Sequence, residues 1–193
     1  GVRTTAALAR AFAEAGIGVV SGLARGIDAA AHRATLEAGG KTVAVMGTGV
    51  DVPYPVGHRA LHAQVAAKGV VVSENPPGTA AFPGCFPRRN PLIAALARVT
   101  IVVEAPYKSG AINTATQALD AGRVVAAVPG PIDSPRSAGA NLLLRDGAQV
   151  IHSVDDALML FGVTAGQKAG GRTLGAVEAA VWDALEAGSA TVD

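Results

Sequence analysis

The chain has a single cysteine, Cys85, in 193 residues, so neither an internal disulfide framework nor a multi-cysteine zinc site can form within it. Aromatic residues make up only 4%, fewer than a β-sandwich core would use. Charged residues make up 16%, which excludes the highly charged composition of a disordered chain. Charge of neither sign dominates. The formal net charge of +1 argues against a globally basic nucleic-acid binder but leaves room for a local basic patch. No apolar run reaches the roughly 18 residues of a membrane span, and no signal peptide opens the sequence. A soluble, cytoplasmic protein is the expectation.

What is present is apolar and small. Half of the residues are hydrophobic and 24 are glycine, which fits an α/β protein with close helix–sheet contacts and glycines in its loops. The length suffices for one good core and a small appendage. Periodicity predicts helices over residues 4–15, 27–38, 59–67, 91–97, 110–121, 141–144 and 154–160. Short apolar runs predict strands over 17–20, 42–46, 70–73, 100–103, 123–128 and 149–151. A Pro/Gly-rich stretch, 75–87, is expected to form a long loop. The strands are continuous apolar runs, as in strands buried on both faces, and short β-loop-α repeats imply a mostly parallel sheet. The expected fold is therefore an extended Rossmann-like, doubly wound sheet with helices on both faces. It should occupy residues 1–161, followed by a polar, Gly-rich linker over 162–173 and a single helix within 174–193 that begins a second domain. Such a domain ordinarily opens with a central strand, whereas this chain opens with a helix. A strand is therefore expected ahead of Gly1.

In doubly wound sheets ligands gather beyond the carboxyl ends of the strands. The segments expected there are Ser-Gly-Leu-Ala-Arg-Gly-Ile-Asp (21–28), Gly47-Thr48-Gly49, Glu74 with the long loop, Glu-Ala-Pro-Tyr-Lys-Ser-Gly (104–110) and Pro129-Gly130. They are rich in glycine and hydroxyl groups and carry Arg25 and Lys108. Glycine lets backbone approach an anion, and the N–H groups at a helix start favour one. Ser109-Gly110 opens a predicted helix. Together these loops point to a phosphate-bearing ligand, although at any one βα turn a glycine is as readily a tight turn. There is no P-loop and no Gly-x-Gly-x-x-Gly after a strand.

Catalytic candidates are thin, and no catalytic or metal site is expected. Asp28 and His32 share a helical face and read best as a structural carboxylate–imidazole pair. Glu74 and Glu104 follow strands expected to be adjacent, where they could be paired acids or acceptors for loop backbone or Arg89. His58 and His62 share a face with nothing between them to complete a zinc site. Cys85 reads as a loop cysteine. Residues 82–90 combine two aromatics with Arg88 and Arg89, the makings of a surface for single-stranded nucleic acid. Phe86 there is equally a stacking platform or a pin to the core, and Phe82 reads as a pin.

The motifs resemble the DNA-processing protein A (DprA/Smf) family. They are Ser-Gly-Leu-Ala-Arg-Gly-Ile-Asp-Ala-Ala-Ala-His (21–32), Gly-Gly-Lys-Thr-Val-Ala-Val (39–45), Gly-Thr-Gly-Val-Asp (47–51), Tyr54-Pro55, Ser73-Glu74 and Phe86-Pro87-x-Arg89-Asn90. Glu104-Ala105, Ser109-Gly110, Gly122-Arg123, Val128-Pro129-Gly130 and Gly147-Ala148 follow in order. The resemblance implies a non-catalytic, cofactor-free protein that binds single-stranded DNA, forms a homodimer and helps load a RecA-type recombinase in natural transformation. Carried over by motif, the DNA-facing set is Ser21, Gly22, Arg25, Lys41, Arg89, Asn90, Ser109 and Gly110.

Two departures bear on that set. The family opens with a strand ending in Gly-Ser/Ala-Arg, a segment not present before Gly1. It also continues Arg-Asn-Arg where this chain has Pro91 after Asn90, which removes a cation from the loop. The family often carries a C-terminal winged-helix-like domain, whose beginning residues 174–193 resemble. A competing expectation is a nucleoside-monophosphate-hydrolysing enzyme of a related Rossmann-like fold. Such enzymes use a Pro-Gly-Gly-x-Gly-Thr loop followed by a catalytic glutamate, and residues 106–117 have neither the double glycine nor a glutamate. A third expectation is a pure interaction scaffold working through dimer and recombinase contacts alone.

Overall fold

Helix α1 (Val2–Glu14) buries Leu8, Ala9 and Phe12, positions three and four apart that fall on one face of a helix. The computed structural model describes residues 1–164, 166 and 167. After α1 the chain alternates regularly: β1 (Val19–Ser21), α2 (Ile27–Glu37), β2 (Thr42–Met46), α3 (Arg59–Lys68), β3 (Val70–Ser73), α4 (Cys85–Leu96), β4 (Val99–Val102), α5 (Gly110–Asp120), β5 (Val124–Ala127), α6 (Ala138–Arg145), β6 (Gln149–Val150) and α7 (Val154–Met159). All strand pairs are parallel, in two sheets ordered β1-β2-β3 and β4-β5-β6.

Burial shows that both faces of the sheets are covered. In β2 the consecutive residues Ala44, Val45 and Met46 are all buried, although neighbours along a strand point to opposite faces. The second sheet divides its side chains the same way. Val99 and Ala126 join Leu8 and Phe12 of α1 and Ala157 and Leu158 of α7 in one cluster. Val102, Val125 and Ala127 join Ala94 of α4, Ala115 and Ala118 of α5 and Leu143 of α6 in another. A third cluster packs Ala29 of α2 and Leu61 and Val65 of α3 on Ala44 and Met46. The Rossmann-like expectation therefore holds in the particulars that matter: parallel strands with helices on both faces.

β1 and β4 are the inner edges of the two sheets and are not hydrogen-bonded to each other. Between them lies a cavity of about 1250 Å³, lined by Val19, Ser21, Val99, Ile101 and Val103 and roofed in part by Leu8 and Phe12. The Gly1 nitrogen sits at its carboxyl end, 3.5 Å from Glu104 Oε2.

The long loop expected over 75–87 is shorter than the sequence suggests, because α4 begins at Cys85 and carries Pro91 within it. Pro87 falls in the first turn, where no intrahelical N–H is required. Cys85 is thus not a loop residue: it is 1% exposed at the start of α4. The linker expected over 162–173 is described only at 162–164, 166 and 167, and the winged-helix-like start over 174–193 lies outside the described residues.

Candidate nucleic-acid interface

The loop between β1 and α2 is held in an unusual backbone conformation by side chains from other parts of the chain. A Cβ at Gly22 would run into the Arg89 guanidinium and could be accommodated only by displacing it. Leu23 is fully buried, yet its φ is +57°, a region that bulky residues avoid. Gly26, at φ +86°, then turns the chain into α2. Three side chains fix this path. Arg89 Nη1 donates to the carbonyls of Gly22, at 2.8 Å, and of Val45. His58 Nδ1 donates to the Leu23 carbonyl at 2.9 Å. Asp28 Oδ2 accepts from the Ala24 N–H at 3.0 Å.

The loop between β4 and α5 is built differently. Its Ser109 is the N-cap of α5 and accepts from the Ile112 N–H, the usual way for a hydroxyl to satisfy a helix-start donor. Tyr107 is 59% exposed, and Lys108 and Gly110 are also open to solvent.

Arg89 and Asn90 join the two loops. Arg89 Nε donates to Asn90 Oδ1 at 3.3 Å. Asn90 Nδ2 in turn reaches the Gly110 carbonyl at 3.4 Å and Asn113 Oδ1 at 3.1 Å. A continuous polar series therefore runs from Gly22, across the gap between the sheets, to the start of α5. Arg89 is 7% exposed and has no ion-pair partner among the described residues. Burial pulls its pKa down from the usual guanidinium value, with Asp28 acting in the opposite direction.

These contacts regroup the residues expected from sequence. Ser21, Gly22, Arg25, Asn90 and Gly110 line the carboxyl end of one cavity, and Ser109 caps the helix beside it. Arg89 lies among them as a buried clamp, not as a solvent-facing cation. Lys41 is set apart: it directly precedes β2, which places it at the amino edge of a parallel sheet, opposite the other residues. Gly18 and Arg98, which directly precede β1 and β4, line the same cavity. Exposed cations on the loops that leave the carboxyl edge are Arg25, Lys108 and Arg136, and Arg59 and Arg88 are exposed in the first turns of α3 and α4 at the same edge.

Several other candidates resolve into structural roles. Phe86 is half-buried, with Tyr54 stacked on it at 4.8 Å between ring centroids and the Arg89 guanidinium 5.9 Å from its ring. Tyr54, 41% exposed, is thus the ring with an open face, and it was legible only as part of a Tyr-Pro motif. Asp28 serves the loop and does not hydrogen-bond His32. His58 and His62 donate to two separate carbonyls, of Leu23 and of Val50. Glu74 follows β3 and Glu104 follows β4. These strands lie in different sheets with β1 and β2 between them, so the two acids are not paired.

His32 lies behind the braced loop and is fully buried. The Thr42 hydroxyl gives its proton to the Val19 carbonyl at 2.8 Å and faces His32 Nδ1 at 2.7 Å, so Nδ1 is the protonated nitrogen. Nε2 has no hydrogen-bond partner among the described residues. Burial lowers the His32 pKa to about 4, against the opposing influence of Asp28 and the Ser21 backbone. The imidazole is neutral at ordinary pH and holds β1 to β2 through Thr42.

Comparison with known proteins agrees with this architecture. The family described as DNA recombination-mediator protein A matches residues 1–162. A putative DNA processing protein DprA of Mycobacterium tuberculosis is 46% identical over 202 residues, an alignment covering all of this chain and 52% of that protein. The X-ray structure of DNA processing protein A from Streptococcus pneumoniae superposes with a TM-score of 0.76 at 40% identity, over 82% of this chain and 56% of that one. A Helicobacter pylori DNA processing protein A, solved to reveal a single-stranded DNA binding mode, superposes with a TM-score of 0.74 at 29% identity, over 81% of this chain and 71% of that one. The chain thus spans about half the length of the curated relative named. Among the described residues, no helix is long and apolar enough to cross a membrane.

Proposed function

Because the chain belongs to the DNA recombination-mediator protein A family, the DprA/Smf proteins, we propose that it binds single-stranded DNA along the carboxyl edge of its sheets. The observation that carries this reading is the convergence of two helix starts, α2 and α5, at one edge. Arg25 and Lys108 stand exposed beside them. Helix N-termini and cations together favour phosphate, and the open rings of Tyr54 and Tyr107 offer stacking faces for unpaired bases. The Helicobacter pylori relative, described for its single-stranded DNA binding mode, supports the same reading.

In this proposal the protein is a non-catalytic mediator. It acts in the cytoplasm as a homodimer and helps a RecA-type recombinase onto single strands during DNA uptake and natural transformation. The non-catalytic reading rests on Asp28 of α2 and His58 of the turn before α3, the acid and imidazole that reach the first loop, both of which are spent on backbone groups.

The test is fluorescence anisotropy of a labelled oligo-dT, single- against double-stranded, at several salt concentrations. The expected result is preferential single-strand binding whose logarithm falls with log salt by roughly 0.7 per phosphate contact. Arg25→Glu with Lys108→Glu should abolish it, whereas Lys41→Glu, at the opposite edge, should change it little. Salt-independent binding, or none, sinks the reading. Recombinase loading is read separately, as acceleration of filament formation by a RecA-type protein on the same strand.

A further inference from the structure

His58 is not among the residues that the motifs mark as facing DNA, yet it bonds the carbonyl of Leu23, whose backbone conformation is the least favourable among the described residues. Leu23 is the only non-glycine residue with a positive φ among the described residues. A large side chain stays in that region only when its surroundings over-determine it. Its own side chain is sealed in the core beside Ala44 and Leu61, which fixes Cβ but not the plane of the peptide that follows; Asp28 Oδ2 holds that peptide at its other end, through the Ala24 N–H. The Leu23 carbonyl is part of that peptide, and His58 Nδ1 donates to it at 2.9 Å. A carbonyl cannot donate, so the proton is on Nδ1. His58 ends a 3-10 turn, Val56–His58, directly before α3, so the donor stands on a rigid element. One helical turn later, His62 braces the carbonyl of Val50 at 2.8 Å in the same manner.

We propose that His58 is a positioning residue for DNA binding: its hydrogen bond to the Leu23 carbonyl holds loop 21–26 in the single conformation that presents Arg25 and the start of α2 at the carboxyl edge, without itself contacting DNA. This rests on the single-stranded DNA reading above. A brace and a phosphate contact differ in their salt dependence. Losing a brace lowers affinity while the number of neutralised phosphates is unchanged. Losing a contact lowers affinity and flattens the salt slope.

The experiment compares oligo-dT binding by the wild-type chain, His58→Leu and His58→Asn across a salt series, with the fold checked by circular dichroism. Asparagine places an amide N–H near the position of Nδ1, whereas leucine has no donor. His58→Leu should bind about tenfold more weakly with an unchanged salt slope, as expected for one hydrogen bond, and His58→Asn should recover most of that loss. Where leucine is not tolerated by the fold, His58→Ala makes the same comparison with asparagine. If the wild type binds and the donor-less variant binds equally well, the proposal fails while the DNA reading stands. If affinity and slope fall together, by roughly 0.7 in slope, His58 touches phosphate and the positioning role is wrong. A wild type that does not bind oligo-dT overturns the DNA reading and this proposal with it.

Discussion

The two loops that meet at the carboxyl edge reach order by opposite routes. The loop after β1 borrows its shape: Arg89, His58 and Asp28 hold it through carbonyls and an N–H of its own backbone. The loop after β4 leans more on local contacts: Ser109 caps α5 three residues on, with the Asn90 amide on the Gly110 carbonyl and the Gly139 N–H on the Ala105 carbonyl as its distant supports, and it leaves Tyr107 and Lys108 open to solvent. The first is shaped by distant side chains that bind its strained backbone, whereas the helix start of the second is capped by its own hydroxyl. Preorganisation of the first kind binds more firmly and fails more completely, because removing one distant side chain frees several groups at once.

The largest effect is expected of Arg89→Leu. It leaves the buried carbonyls of Gly22 and Val45 without their donor and severs the link to Asn90. With hydrogen bonds to a charged donor worth roughly 1.5–3 kcal/mol each, a stability loss of about 4 kcal/mol is expected in urea unfolding. A loss no greater than that of a surface substitution would show that the loop holds itself.

The next effect in size is pH-dependent and also belongs to the first loop. The unfolded imidazole of His32 titrates near 6.5 and the folded one near 4. The unfolded state therefore takes up the proton first. Stability is fully present above pH 6.5 and is lost as pH falls toward about 4. The window is worth on the order of 3 kcal/mol. Melting temperatures between pH 7 and pH 4 should fall in the wild type and fall less in His32→Gln. A flat wild-type curve would contradict the neutral, buried imidazole described here.

Smaller effects belong to the second loop. Ser109→Ala removes one cap and should cost about 1 kcal/mol in thermal or urea unfolding, well short of Arg89→Leu. Equal losses would erase the distinction between the two loops. Smallest in stability is Lys108→Ala, expected to stay within about 0.5 kcal/mol of wild type. Its effect should appear instead in oligo-dT binding, as a salt slope shallower by roughly 0.7.

Much of the architecture was legible because it is written locally. β2 and β3 stand at the predicted bounds of 42–46 and 70–73, since continuous Val-rich runs leave little choice. The start of α4 lies ahead of the predicted 91–97 because Gly84 and Pro87 read as loop punctuation and Pro91 as a helix start, although a helix tolerates proline in its first turn. The site was legible as a set of loops but not as a division of labour. Arg89 reaches Gly22 across 67 positions and His58 reaches Leu23 across 35, and no local pattern reports such pairings. Lys41 is a different case. It precedes the predicted strand 42–46, so the sequence already placed it at the amino edge, and the motif alone suggested otherwise.

The seam between β1 and β4 also bears on how this molecule assembles. Among the described residues, every strand pairing joins strands consecutive in the chain: β1 with β2, β2 with β3, β4 with β5 and β5 with β6. Each half can thus acquire its backbone ladder from contacts of short sequence separation, the kind that form quickly. What remains for the slow stage is docking, in which α1 reaches α7 and the second sheet and Arg89 reaches Gly22. The groove proposed to receive DNA is made in that last step, so the competent site should appear later in refolding than the secondary structure that surrounds it.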